Sequence, residues 1–230
     1  PSLSRSHANA SDEEFSQTVD WGLRWVLLIG IPSAVGLFIM ARPMIATLFH
    51  YGDFTGSDVG MAGLSLMAYA VGLPGFMLVR VLAPAFYSRK DTKTPVRIAV
   101  IALVTNMILN LVFVVPMVVL EIPGPHAGLA LATSIAAWVN ATLLFAMLYR
   151  KRVYRPQAGW RRLFLQMGLA GGALGTLLLL GMQPVQEWLT WTARYRVAGL
   201  FGWVLAGAAI YFVSLRLLGL RWRPLLKKTG

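Results

Sequence analysis

The sequence predicts an all-α integral membrane protein with about six transmembrane helices, and three observations support this fold class. First, 57% of its 230 residues are hydrophobic and only 13% are charged, whereas a soluble domain carries about 25% charged residues. Second, six apolar stretches are each long enough to cross a bilayer. Third, Lys and Arg are unevenly distributed among the links between these stretches. Because so few charges cannot cover a water-facing surface, we expect lipid to surround the chain.

Each apolar stretch has about 20 residues or more, and about 20 helical residues cover a hydrocarbon core of about 30 Å. A soluble helix would show a polar face, but "IALVTNMILNLVFVVPMVVL" in the third stretch has only one Thr and two Asn. Helices are expected because lipid offers no hydrogen-bond partner to free backbone groups. The alternating segments of a membrane barrel are absent from the sequence. The six stretches are Trp21–Met40, Met61–Ala85, Val96–Leu120, Ala127–Leu148, Leu163–Met182 and Val197–Leu218.

The basic residues predict the orientation. Sixteen of the 21 Lys and Arg residues fall on one side of the predicted bundle, in the N-terminal segment, the links at 88–97 and 150–162, and the C-terminal end. Only Arg42, Arg194 and Arg196 fall on the other side. By the positive-inside rule, the basic side faces the cytoplasm. Both ends of the chain are then cytoplasmic, as an even number of spans requires.

Two segments outside the spans have patterns of their own. Ser11 followed by Glu14 is a capping box and predicts that a helix begins there and continues into the first span. Pro43–Tyr51 is amphipathic and too short to span, so we expect it at the outer interface, before a turn that begins at Gly52. The chain opens at Pro1, which suggests a piece of a longer protein that lacks its N-terminal part.

The sequence therefore divides into five segments. These are a cytoplasmic lead-in at 1–20, a four-helix part at 21–150, a basic cytoplasmic link at 151–162, a two-helix pair at 163–218 and a basic cytoplasmic tail at 219–230.

Several function classes are excluded or disfavoured. The net charge of +12 could suggest nucleic acid, but the basic residues lie in short links beside Trp and Tyr, as at a membrane interface, so we expect no nucleic-acid partner. The three His residues form no metal-binding pattern, there is no Cys, and no catalytic motif is present. We predict no metal, no cofactor, no catalytic residue and no enzymatic activity.

Two arginines lie inside predicted spans, where a charge is costly and often functional. Arg80 follows Pro74, which should kink the second span and is typical of a helix that lines a cavity. The alternatives for Arg80 are contact with a phosphate group or snorkelling to the interface near Arg89. Arg24 lies four residues after Asp20, so an ion pair with structural function is favoured over substrate binding.

Uncharged polar residues mark the third and fourth spans. Asn106 and Asn110 share one helical face, and Thr133 lies on the next span. Such groups usually form hydrogen bonds between helices. The alternative is a site for a polar substrate or a monovalent cation, for which a charged ligand would have to come from a segment outside this sequence.

The last two spans differ from the first four because they carry closely spaced small residues and no central charge. Small residues allow helices to approach each other closely, which predicts a tightly packed, lipid-facing pair. The residues concerned include Gly172, Gly175, Gly199 and Gly202.

The run "VRVLAPAFYSRKDTKTPVRIA" at 79–99 resembles the MurJ/MviN family of lipid II flippases, which belongs to a wider superfamily of exporters. The resemblance covers essentially the whole chain, although only the "APAFYSRKDTKTP" part is specific. The supporting pieces are "PSLS" at 1–4, "DWGLRW" at 20–25, "IPSAV" at 31–35, "LFHYGDFT" at 48–55, "HAGLALATSIAAWVNATLL" at 126–144 and "RPQAGW" at 155–160.

The resemblance implies the last six of fourteen spans: four from the second lobe, and a final pair that lines a groove for a polyprenyl tail. The implied function is movement of lipid II from the inner to the outer leaflet of the bacterial cytoplasmic membrane by alternating access. The family's main headgroup arginines precede Pro1, so only Arg80 and the link residues Arg89, Lys90 and Lys93 match a basic family motif. The implied partners are lipid II, membrane lipids and other proteins of cell-wall synthesis.

Two alternatives stay open. One is another exporter of the same superfamily, for drugs or lipid-linked polysaccharides. The other is an integral-membrane enzyme that acts on polyprenyl phosphates, which would need clustered acids at one interface. The predicted cytoplasmic links contain essentially one acid, Asp91, so the enzyme is disfavoured.

Overall fold

The computed structural model describes residues 2–121 and 124–220, with side chains from residue 12 onward. Six helices in this part are long and apolar enough to cross a membrane, which confirms the predicted number. The basic residues predicted at 221–230 lie outside the described residues. The helices are α1 (Ser2–Phe49), α2 (Gly56–Tyr87), α3 (Lys93–Val119), α4 (Pro125–Arg150), α5 (Trp160–Gly181), α6 (Val185–Thr190) and α7 (Ala193–Leu217).

The first helix corrects two predictions. No helix begins at Ser11, because α1 already runs from Ser2 and the lead-in is continuous with the first span. Pro43–Tyr51 is likewise not a separate interfacial segment, since α1 continues through Pro43 to Phe49. Proline inside a membrane helix is tolerated when other groups bond the carbonyls it leaves free. The chain turns only at Gly52, whose φ of +58° favours glycine.

Helix α2 packs between α1 and α4, while α3 packs chiefly on α4. The α2–α4 approach is close because Gly72 faces the backbone of Ser134, where an added Cβ would lie 2.7 Å from Cα. Two bonds cross this interface: Ser134 donates to the carbonyl of Ala68 at 2.7 Å, and Trp138 Nε1 donates to that of Val71 at 2.9 Å.

The final pair, α5 and α7, packs together and against α1. The short helix α6 between them was not predicted, because six residues are too few to show a periodic pattern. Helix α5 begins at Trp160, so the basic link predicted to end at 162 ends three residues earlier, at 159.

The links meet at two ends of the bundle. Lys151 Nζ lies 2.7 Å from Asp91 Oδ2, and the backbone N–H of Arg155 donates to Ser16 Oγ at 2.9 Å. The links 88–92 and 151–159 therefore share one end, which we call the basic end. The segments 50–55 and 182–192 lie at what we call the opposite end.

Candidate functional site

A cavity of about 600 Å³ opens between α2, α3 and α4 and contains one charged side chain. That side chain is Arg80, from α2. Asn106 of α3 and Thr133 and Asn140 of α4 also line the cavity, while Val79, Leu103 and other apolar residues form the rest of its wall. The structure therefore brings together Arg80 and the polar groups of the third and fourth spans, which the sequence predicted as separate features.

The guanidinium of Arg80 is exposed to this cavity. Within residues 12–121 and 124–220, no group forms a hydrogen bond or an ion pair with it. A cation at membrane depth normally pairs with an anion or lines a polar pathway. The arrangement therefore leaves Arg80 available to an anionic group that enters the cavity.

The asparagines connect α3 to α4, as the hydrogen-bonding alternative predicted. Asn106 Nδ2 donates to Thr133 Oγ1 at 3.2 Å, and Asn110 Nδ2 donates to Asn106 Oδ1 at 3.1 Å. The Oδ1 atoms of Asn110 and Asn140 are buried and accept no hydrogen bond from the described residues. Two amide oxygens therefore retain acceptor capacity near the cavity. A polar or cation ligand there stays a prediction.

No three His, Cys, Asp or Glu residues in the described part are grouped as metal ligands would be. Both the absence of a metal and the absence of a cofactor stay predictions.

The basic link residues lie apart from this cavity. Arg89 forms an ion pair with Asp12 of α1 and stacks over the ring of Phe15, with 5.2 Å from its Cζ atom to the ring centroid. Lys90 and Lys93 are exposed at the basic end. None of the three lines the cavity with Arg80, so a shared substrate site would require a ligand that reaches from the cavity to the link.

Asp91 fastens the same link to the start of α3. Its carboxylate accepts hydrogen bonds from Lys151 Nζ and from the backbone and side chain of Thr94. These bonds, with that from Lys151 first, lower the pKa of Asp91 to about 2. The carboxylate is therefore ionised at all physiological pH values.

Arg24 is part of a structural network. Its Nε donates to Asp20 Oδ2 at 2.6 Å, which confirms the predicted pair, and its NH2 donates to the carbonyl of Ala158 at 2.9 Å. The guanidinium also stacks on Trp160 at 5.1 Å. The structure therefore supports the structural alternative for Arg24.

Asp20 is the centre of this network. The residue is only 3% exposed, and its Oδ1 accepts bonds from Tyr154 OH at 2.6 Å, Trp160 Nε1 at 2.7 Å and the backbone N–H of Gln157 at 3.1 Å. Burial and the bond to Asp20 raise the pKa of Tyr154 far above its usual range, so its phenol stays protonated and donates. One carboxylate thus joins α1 to the link and to the first residue of α5.

An apolar groove of about 410 Å³ runs between α1 and α7, with α5 contributing Leu174 and Leu178. Whether this groove is the lipid-tail groove predicted for the final pair stays a prediction, but its lining differs from the residues assigned to that groove. None of Gly172, Gly175, Gly199 and Gly202 lines the groove. An added Cβ at Gly172 or Gly202 would meet nothing within 4 Å, and at Gly175 it would face α1 instead.

A glycine outside the predicted set makes the close contact that was expected between the last two spanning helices. At Gly207 of α7, an added Cβ would lie 2.8 Å from Leu174 Cδ1, and Gly207 and Gly36 both line the groove. The small-residue pattern marked the correct helices. It could not show which face of each helix turns toward its neighbour, because small residues occur on several faces of both.

Arg196, at the opposite end, was not predicted as a key residue. It is 6% exposed, and all four of its acceptors are backbone carbonyls. The carbonyls of Ala46 and His50, at the end of α1, lie 3.1 and 3.0 Å from NH1. Those of Trp188 and Leu189, in α6, lie 2.9 and 2.8 Å from Nε and NH2. One guanidinium therefore joins α1, α6 and α7.

A family model described as "Lipid II flippase MurJ" matches residues 1–199. The chain belongs to this family. A protein of Vibrio cholerae named "Probable lipid II flippase MurJ" is 41% identical over 98% of the chain and 42% of its own length. A "Lipid II flippase MurJ" of Burkholderia cenocepacia is 39% identical over 96% of the chain and 42% of its length.

The fold agrees with this family. A solved structure titled "Lipid II flippase MurJ, inward closed conformation" matches with a TM-score of 0.71 and 25% identity, over 93% of this chain and 40% of that one. The chain thus spans about two fifths of the length of these relatives. Family membership and the six apolar helices make it a multi-pass protein of the bacterial inner membrane. The resemblance found in the sequence is confirmed.

Proposed function

We propose that this chain forms part of a transporter that moves lipid II across the bacterial inner membrane. The observation that carries the proposal is Arg80, whose guanidinium lines a membrane cavity and pairs with none of the residues that the structure describes, in a member of the lipid II flippase family. A guanidinium binds phosphate oxygens through two parallel N–H bonds, so it suits the pyrophosphate of such a lipid. The apolar groove of α1, α5 and α7 suits a hydrocarbon tail.

The arrangement favours transport over bond chemistry. In the proposal, Arg80 binds the anionic headgroup while the cavity alternately opens to each leaflet, and no covalent bond is made or broken. Asn106, Thr133 and Asn140 add neutral polar groups to the same wall. The chain would then act as one portion of a two-lobe flippase and not as an enzyme.

Complementation tests the role of Arg80. The full-length protein that carries this sequence would be expressed in cells depleted of their native flippase, with Arg80→Ala, Arg80→Lys and Arg80→Gln. We expect Ala and Gln to abolish growth at normal protein levels and Lys to retain part of it, because an ammonium gives only a point charge. Arg97→Gln, an exposed arginine outside the cavity, is the matched control and should grow as wild type.

Growth of Arg80→Gln at the wild-type level would exclude a phosphate-binding role, since it would show that the side chain's length suffices. If Arg80→Ala lowers protein levels, Arg80→Lys decides the matter, because full growth with Lys would also contradict bidentate binding. An exporter with another substrate would fail to complement even as wild type.

We also propose that the basic end faces the cytoplasm, so that both ends of the chain are cytoplasmic. The chain contains no Cys, which makes single-cysteine labelling clean. Thr92→Cys should resist a membrane-impermeant maleimide in intact cells, and Asp53→Cys at the opposite end should react. Outward labelling at position 92 would reverse the assignment.

A further inference from the structure

Arg196 occupies the point where three helices meet at the opposite end. A helix leaves its last carbonyls without partners inside the helix, and its C-terminus carries partial negative charge. Ala46 lies in the last turn of α1, and Trp188 and Leu189 lie in the last turn of α6. The carbonyl of Ala46 also accepts from the backbone N–H of His50, and that of Trp188 accepts from the backbone N–H of Trp191, each at 3.3 Å. The buried cation is therefore an added donor to carbonyls at two helix ends and offsets their partial negative charge.

A guanidinium is better suited than any other side chain to bond carbonyls at the ends of two helices. It has five N–H donors in a fixed plane, and Nε, NH1 and NH2 all reach carbonyls of one helix end or the other. Its Cζ atom also lies 5.9 Å from the ring centroid of Tyr51. Because α7 begins at Ala193, these bonds fix the first turn of α7 to the last turn of α1.

The same helices bound the apolar groove. Its walls are α1, from Ile29 to Met44, and α7, from Trp203 to Phe212. Toward the basic end, Tyr211 OH donates to the carbonyl of Leu28 at 3.0 Å and ties the two walls together. At the opposite end, Arg196 is the described side chain whose bonds join α7 to α1.

We propose that Arg196 is a positioning residue that sets the separation of α1 and α7 at the opposite end, and so sets the width of the apolar groove. The assignment of a polyprenyl tail to this groove rests on the proposed function, whereas the positioning role does not.

Distance measurement tests the positioning role directly. Spin labels would be placed in the full-length protein at Leu48 of α1 and Phe201 of α7, both exposed and near Arg196. A second pair at Ile29 and Val213, also exposed, reports the other end of the groove. We expect Arg196→Gln to shift the first distance to longer, broader values and to leave the second unchanged. Arg194→Gln, an exposed arginine in the same helical turn, should change neither.

Arg196→Lys keeps the charge but cannot reach both helix ends in one geometry, so it should give an intermediate shift at the first pair. An unchanged distance between the labels at Leu48 and Phe201 in either variant would overturn the proposal. If Arg196→Gln does not fold, the Lys variant alone decides. Equal shifts at both pairs would also overturn it, because they would show general loosening.

Undecaprenyl phosphate as a probe separates this proposal from the proposed function. We expect it to raise the unfolding temperature of the wild type in detergent and to raise that of Arg196→Lys less. If the Leu48–Phe201 distance changes in the Arg196 variants but undecaprenyl phosphate does not stabilise the wild type, the positioning role stands and the assignment of a tail to the groove is contradicted. Stabilisation equal in both proteins would contradict control of groove width by Arg196.

Discussion

The two ends of the interface between α1 and the final pair are each joined by one buried charge, but the charges are opposite. At the basic end, Asp20 accepts four hydrogen bonds from the link and from α1 and α5. At the opposite end, Arg196 donates four bonds to the ends of α1 and α6. Asp20 lies near the start of α5, where negative charge is favoured, and Arg196 bonds to the ends of α1 and α6, where positive charge is favoured, although it stands in the first turn of α7.

The difference lies in the partners. Three of the four donors to Asp20 are side chains, so their loss can be tested one at a time by substitution. All acceptors of Arg196 are backbone carbonyls, which no substitution removes. The stability that the basic end contributes can therefore be divided among its donor side chains by substitution. The contribution of the opposite end can be tested only by changing Arg196.

The largest effect is expected from Asp20→Ala. It leaves the buried Tyr154 and the half-buried Trp160 as donors without their acceptor and removes the partner of Arg24. Breaking a buried charged network in this way costs about 3–5 kcal/mol. Thermal unfolding in detergent would measure the loss, with the exposed Asp53→Ala as control. Hydrogen exchange should rise in the link 151–159, while the spin-label distance between Leu48 and Phe201 stays as in the wild type. A change in that distance would show that the two ends are coupled.

How far the sequence predicted these regions depends on the kind of partner. The spacing of Asp20 and Arg24 predicted their ion pair, because residues four apart on a helix are neighbours. Trp160 and Tyr154 are more than 130 positions away in the chain, and only the fold brings them to Asp20. The role of Arg196 was not predicted, since backbone carbonyls occur at every position and the sequence does not show which of them the fold brings to its guanidinium.

The cavity and the groove show the same limit. Apolar length and basic links predicted the six spans, because those properties are local. The gathering of Arg80, Asn106 and Thr133 in one cavity depends on how α2, α3 and α4 turn about their axes. The same rotation decides that Gly207 and not Gly202 meets α5. The capping box at Ser11 predicts a helix start, but this prediction is wrong because the residues before Ser11 also form helix and α1 begins at Ser2.

A smaller effect is expected from Tyr154→Phe, which removes one of the four donors to Asp20 and keeps the ring. The ring is buried and packs edge-on against Phe145, with centroids 5.7 Å apart, so the packing should persist. A hydrogen bond to a charged group contributes about 1.5–3 kcal/mol, and we expect the low end because Asp20 keeps three donors. The raised pKa of Tyr154 keeps its phenol protonated, so the loss should be the same from pH 6 to about pH 9. Tyr149→Phe, at an exposed position, is the matched control.

A double-mutant cycle of Tyr154→Phe with Asp20→Asn isolates the interaction between these two side chains. A coupling energy near zero would show that Asp20 is held without Tyr154, by the backbone of Gln157 and the side chains of Trp160 and Arg24.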